Sequence, residues 1–237
     1  MADMTINAAN YPEIKSGQKA PRKYAAHVID ASFGGATPIW YRIGEDNDSL
    51  AVEMNPDTEV RKNILGTSSF VHNGYEPSAN VDTFYAKRGD KLFNKLHNAV
   101  KTQESGDGLK TVWMDVYLWN KGTDNNATVY EASQQTCYVI PDSYGGDTSG
   151  VQIPFTANFI GERTAGAYNP TSKTFTAGTW SENYTAVSNP TGNPSELGYY
   201  ERSGDAGAYV YTLSADTTVD SEKTYYSYAA TFTAATN

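Results

Sequence analysis

Along residues 81–120, VDTFYAKRGDKLFNKLHNAVKTQESGDGLKTVWMDVYLWN, the spacing of apolar positions changes period once and sharply. Leu92, Phe93, Leu96, Ala99 and Val100 recur at helical spacing, so 90–103 reads as an amphipathic helix with one apolar stripe. Asp90 after Gly89 supplies an N-cap, and the glycines at 106 and 108 close the helix with a turn. The period then becomes two. Val112, Met114, Val116 and Leu118 point one way, and Trp113, Asp115, Tyr117 and Trp119 the other. A strand with large apolar side chains on both faces has to be covered on both. The simplest cover is a second β layer on one side and the helix or a neighbouring subunit on the other. No other segment is as strongly helical, so the expected fold is mainly β: a β-sandwich or barrel flanked by one α-helix.

The remaining pattern fills in the β body. Residues 1–23 are polar, carry Pro12, Gly17 and Pro21, and read as an N-terminal arm ordered only when docked. A first strand is expected over Tyr24–Phe33 and a second over PIWYRI, with Ile39, Tyr41 and Ile43 alternating against Trp40 and Arg42. The stretch 44–80 reads as a long excursion, and loops of that length usually serve function or interaction. Within it, NPDTEVRKNIL suggests a helical turn after Asp57, and TSSFVHNGYEP a hairpin centred on Asn73–Gly74. After the loop GTDNNAT and the strand-like TVYEASQQTCYVIP comes a glycine-rich turn. In VQIPFTANFIG, Val151, Ile153, Phe155, Ala157 and Phe159 share one face and Gln152, Thr156 and Asn158 the other; Pro154 points to an edge or a bulge. Residues 165–178 form a hairpin partner turned at Asn169–Pro170. The main β domain is thus expected over 24–179. By composition 180–197 is a linker, and 198–237 a small tyrosine-rich β appendage of three short strands on a flexible tether.

Length and composition set bounds. With 237 residues and 39% hydrophobic content, the chain can bury a substantial core. Its single cysteine, Cys137, excludes an internal disulfide framework and a cysteine zinc site, and its place in TCYVI predicts a buried thiol. MADMTINAANYPEIK has neither a basic start nor an apolar stretch, so no signal peptide is expected. No run approaches membrane-spanning length, and a soluble protein made in a cytoplasm is the expectation. The formal charge is −9, and residues 142–237 hold ten acidic against four basic side chains. Such a surface argues against tight binding to a phosphate backbone, which needs clustered Lys and Arg.

Catalytic chemistry finds little purchase. His27, His72 and His97 are far apart and none stands in an HExxH spacing. His27 reads as a satisfied structural histidine, His72 as a turn residue, and His97 as a residue on a solvated helix flank. No GxSxG, Walker or Rossmann fingerprint occurs. Asp115 and Glu131 could form a glycosidase pair on adjacent strands, yet a chain with 27 acids supplies such pairs by chance. The GGD at 145–147 lacks the spacing of a calcium loop. Lys87, Arg88, Lys91, Lys95 and Lys101 form the basic cluster, either a solvated flank or a partner for an acidic loop of a neighbouring subunit. The expectation is a protein with no enzymatic activity and no cofactor.

Three stretches carry a resemblance. NPDTEVRKNILGTSSFVHNGYEPSANVDTFYAKRGDKLFNKLHNAVK followed by LKTVWMDVYLW, and YGGDTSGVQIPFTANFIGERTAGAYNPTSKTFTA, resemble the major tail (tail tube) proteins of long-tailed, siphovirus-type bacteriophages. YTLSADTTVDSEKTYY is similar to a short β module often appended to proteins of such phages. The resemblance covers residues 50–178 and, separately, the appendage. It implies a virion protein made in the host bacterial cytoplasm, whose hexameric rings stack into the channel through which phage DNA is ejected. The implied partners are further copies of the chain, the tape measure, tail terminator and tail tip proteins, and passing double-stranded DNA without specific binding; no membrane is involved. On this reading Asp57, Glu59, Arg61, Lys62 and Tyr75 are candidate inter-ring contacts, and Gln152, Thr156 and Asn158 a candidate lumen face. Trp113, Tyr117 and Trp119 become a face covered by the helix or by the next subunit. Two other readings stand beside it. One is a head decoration or tail terminator protein of related build. The other is a carbohydrate-binding module or adhesin that uses Trp180 and the late tyrosines.

Overall fold

The computed structural model describes residues 4, 6–7, 10–14, 18–124 and 127–235. Strands β1 (Ala25–Asp30), β2 (Trp40–Ile43), β3 (Val52–Glu53), β4 (Pro56–Lys62), β5 (Ser68–Tyr75) and β6 (Ser78–Val81) precede helix α1 (Lys91–Thr102). Long strands β7 (Lys110–Asp124) and β8 (Ala127–Pro141) follow, then the short β9 (Gly145–Asp147) and β10 (Gly150–Gln152), then β11 (Phe155–Asn169) and β12 (Thr174–Ala186). The chain ends with α2 (Pro194–Leu197), β13 (Tyr200–Ser203), β14 (Val210–Leu213) and β15 (Tyr225–Ala234). The protein is mainly β; β1–β2, β6–β11, β11–β12, β12–β15 and β13–β14 pair antiparallel, and α1 is the longer helix among the described residues. The chain divides into two compact units, Met1–Thr5, His27–Asp115 and Ser133–Thr164 in the first, Ile6–Ala26, Val116–Ala132 and Ala165–Asn237 in the second. Strands β1, β7, β8 and β11 contribute residues to both.

In the first unit the order is β6–β11–β8–β7–β1–β2, with β3 added outside β6. Alternation decides its core. Phe155, Ala157 and Phe159 of β11, Cys137 and Val139 of β8 and Trp113 of β7 meet Leu92 and Leu96 of α1 in one cluster. The helix starts where its cap is: the Asp90 carboxylate accepts from the Phe93 N–H at 3.0 Å. It ends with Gln103 in the left-handed conformation, whose N–H reaches back to the Ala99 and Val100 carbonyls. Met4 is buried, and its N–H donates to the Trp40 carbonyl at 3.0 Å.

The second unit orders β14–β13–β15–β12–β11–β8–β7. Nine consecutive residues of β12, Gly178–Ala186, pair with β15. Trp180, half-buried, and Phe232 close over Val129 and Ala167. Of the arm, Tyr11 lies edge-on to Tyr24, whose hydroxyl donates to the Pro12 carbonyl at 2.7 Å.

Several expectations change. The helical turn after Asp57 is strand β4, and the hairpin turns at residues 63–67 rather than at Asn73–Gly74. The Asn63 side chain builds that turn by accepting from the Leu65 and Thr67 N–H groups. Gly74 does adopt a positive φ of 136°, but inside β5, beside the register shift at Asp57/Thr58. The excursion at 44–80 thus holds four strands, and its last, β6, is part of the core sheet. Val151 is exposed on β10 instead of sharing the buried face of β11, because the chain breaks from the ladder at Ile153–Pro154. Residues 180–186, a linker by composition, are strand, and Pro194–Leu197 is helix. Asn125 and Asn126 of the GTDNNAT loop, and residues 1–3, 5, 8, 9 and 15–17 of the arm, lie outside the described residues.

Candidate functional site

The hairpin β4–β5 is a sheet of two strands only. Every residue of β4 is exposed, as are six of the eight in β5. Asp57, Glu59, Arg61, Lys62 and Tyr75 all lie on it. Arg61 donates to Glu59, and Tyr75 meets the His72 ring edge-on at 4.6 Å. The register sets Val60 opposite Phe70 and Thr58 opposite His72 on one face. At the tip Ile64 is wholly exposed and Leu65 83% exposed. The sequence reading missed these apolar positions because it placed a helical turn there. The usable signal was Asn63 three residues before Gly66, a turn spacing between two runs rich in β-branched residues.

Thr156 and Asn158 sit on β11 opposite Asn80 and Ser78 of β6, so these four share a sheet face. Asp82, which accepts from the Asn80 amide, and Asp142, which accepts from the Thr156 hydroxyl, extend it. All six side chains are neutral or acidic. Gln152 stands apart from them on β10, bridged to Tyr85.

Trp113, Tyr117 and Trp119 have different fates. Trp113 is buried in the cluster beneath α1, against Phe159 with ring centroids 5.6 Å apart. Tyr117 is half-buried, with its ring 5.1 Å from that of Trp119, which is 43% exposed.

In the first unit a polar row crosses β1, β7, β8 and β11. Asp115, buried, accepts from His27 Nδ1 at 2.6 Å, from the Trp113 indole N–H at 2.7 Å and from Arg163. Arg163 also donates to the Ser133 hydroxyl at 2.8 Å. Burial pushes the Asp115 carboxyl up, but the His27 bond and charge, then Arg163 and the Trp113 N–H, outweigh it and hold the group below its ordinary value. Asp115 and Glu131 are therefore engaged separately, Glu131 accepting from the Asn120 amide at 2.6 Å. His27 is a structural histidine, as its strand position implied.

Other expected residues fall into place. Cys137 is buried, and burial pushes its thiol up to about 12. His97 is not on a solvated flank: it stacks between Phe93 and Tyr144, at 5.8 and 5.4 Å. Within the basic cluster, Lys87 reaches Glu45 and Asp46 of its own chain at 2.7 and 3.3 Å, and Lys95 reaches Glu104 at 2.8 Å. Arg88, Lys91 and Lys101 are exposed. Among the described residues no three His, Cys, Asp or Glu side chains gather as a metal site.

The sequence matches no protein-family model and no curated protein. Among solved structures, the chain is similar to the sheath/tube terminator, in its extended state, of an extracellular contractile injection system, PVC. The identity is 9%, the TM-score 0.39, and the match covers 63% of this chain and 98% of that one.

Proposed function

We propose that the chain is a structural subunit of a phage tail tube, assembling with copies of itself into stacked hexameric rings, without catalytic chemistry. The observation that carries this reading is the β4–β5 hairpin. A two-stranded ribbon in water is marginal on its own. This one exposes Val60, Ile64, Leu65 and Phe70 along its face and tip. Such a ribbon gains its stability by docking, and in a self-assembling protein the partner is the next copy. The resemblance over residues 50–178 supports the same conclusion, as does the mainly β fold with α1 laid on its sheet.

The face formed by Ser78, Asn80, Asp82, Asp142, Thr156 and Asn158 suits a channel wall. It offers DNA phosphates no cation, and phosphate binding is built from Lys and Arg. Negative-stain electron microscopy of the purified chain, with light scattering for mass, tests the proposal. Hollow tubes or stacked rings are the expected outcome, at raised concentration or with tail-tip components added. A chain that stays monomeric under both conditions sinks the tube reading.

A further inference from the structure

The second unit contains a groove of about 450 Å³, within the size range of small-ligand sites. Its wall mixes aromatic and aliphatic surface with hydrogen-bonding groups. Tyr11, Trp119, Tyr130 and Tyr228 supply ring surface, and Asn120, Thr123 and Thr231 supply neutral polar groups. Among the described residues its charged lining is Glu13 and Lys121, one of each sign. Trp119 is the one markedly exposed tryptophan among the described residues; Trp40 and Trp113 are buried and Trp180 half-buried. Asn120 is held in place by its bond to Glu131.

The aromatic surface continues beyond the groove. Tyr228 is paired across the β12–β15 ladder with Tyr184, ring centroids 5.5 Å apart. Tyr184 in turn stacks on Tyr211 at 4.1 Å, nearly parallel, and touches Tyr200 edge-on. Carboxylates flank this track: burial, with Glu182 and Glu131 nearby, raises the Tyr228 phenol above its ordinary value.

The lining discriminates between ligand classes. An anionic ligand such as a phosphate needs clustered Lys or Arg, and among the described residues the wall has one lysine offset by one glutamate. A purely apolar ligand would match the rings but not the amide and hydroxyl groups set among them. A sugar ring has one face of C–H groups that lies on aromatic rings and an equator of hydroxyls that pair with amides and carboxylates. We propose that this groove, with the tyrosine track leading from it, binds a neutral oligosaccharide. Trp119 and Tyr228 are its stacking platform, and Asn120 and Thr123 its hydrogen-bonding groups. The groove and the β4–β5 hairpin share no residue.

Intrinsic tryptophan fluorescence of the full chain, titrated with cellotetraose, maltotetraose and tetra-N-acetylchitotetraose, tests this. Trp119 should dominate any response, because it is the most exposed of the four tryptophans and lines the groove. The expected result is a saturable change with at least one probe at ~1 mM or tighter, the usual edge of specific binding. In Trp119→Ala, which lacks the reporter and is therefore read by isothermal titration calorimetry alongside the wild type, that affinity falls at least tenfold. Thr231→Arg, which fills the groove from an exposed position, should weaken binding similarly and covers the case that Trp119→Ala misfolds. Ile64→Ser/Leu65→Ser should bind as the wild type does, separating this site from assembly. Absence of a saturable response to all three probes overturns the proposal, as does undiminished binding in both groove variants. A Trp119→Ala chain that loses assembly, from a wild type that binds no saccharide, also overturns it and makes a second copy the occupant.

Discussion

Asp115 is the carboxylate at the centre of the polar row, accepting from His27, Trp113 and Arg163, and its side chain is only 7% exposed. Removing one partner of a buried charge pair typically costs about 3–5 kcal/mol. Arg163 is a third exposed and can turn to water, so Asp115→Asn should cost near the lower end, about 3 kcal/mol by chemical denaturation. The pH dependence follows from the same geometry. A carboxyl held below its unfolded value contributes stability that is fully present above about pH 4 and is lost as pH falls through the folded value. The denaturation midpoint of the wild type should therefore drop more steeply below about pH 4 than that of Asp115→Asn; equal slopes would remove Asp115 from the acid response. Cys137 gives a second test at this scale. With its thiol pushed up to about 12 and buried, it should stay unmodified by a thiol-disulfide reagent at pH 8 until the chain is unfolded.

At the scale of elements, α1 and the β4–β5 hairpin are opposites. The helix is anchored by Leu92, Leu96 and the Asp90 cap, so it belongs to the stable part of the first unit. Leu96→Ala should cost about 2–5 kcal/mol, the range for a leucine removed from a tight core. The hairpin contributes almost nothing to that core, since nearly all of it is exposed. Ile64→Ser/Leu65→Ser should leave the melting temperature of the unassembled chain unchanged and abolish assembly seen by light scattering. If the double variant assembles normally, the hairpin is not the docking element. Its amides should also exchange rapidly in the free chain and slowly in an assembly.

For the molecule as a whole, the C-terminal strands are structural partners of the second unit. Strand β15 supplies nine pairs to β12, and Phe232 helps cover Val129 and Ala167. A chain ending at Ala186 would leave β12 an open edge beside exposed apolar surface, a known route to aggregation. It should elute as aggregates or resist soluble expression. A well-folded, monodisperse truncation would restore the picture of a passive appendage on a tether.

The amino-acid order by itself determined what is decided within a few residues. The 3.6-residue stripe of α1, its Asp90 cap, the two-faced alternation of β7 and the Asn169–Pro170 turn were legible because each depends on neighbours in sequence. The buried Cys137 and the aromatic density after Trp180 were legible for the same reason. Tertiary structure decided which local signals were used, and for what. Asn73–Gly74 carries a turn signature, and Gly74 does take a positive φ, yet pairing of Thr58 with His72 turns it into an irregularity within a strand. The polar stretch from Trp180 became strand because β15, more than forty residues later, lies alongside it. The Asp115 site joins residues separated by 88 and 48 positions, which no periodicity can register. The same limit applied to the Trp119 groove, whose wall is drawn from the arm, β7, β8 and β15. Pattern fixes the faces of elements, whereas long-range register decides which faces meet.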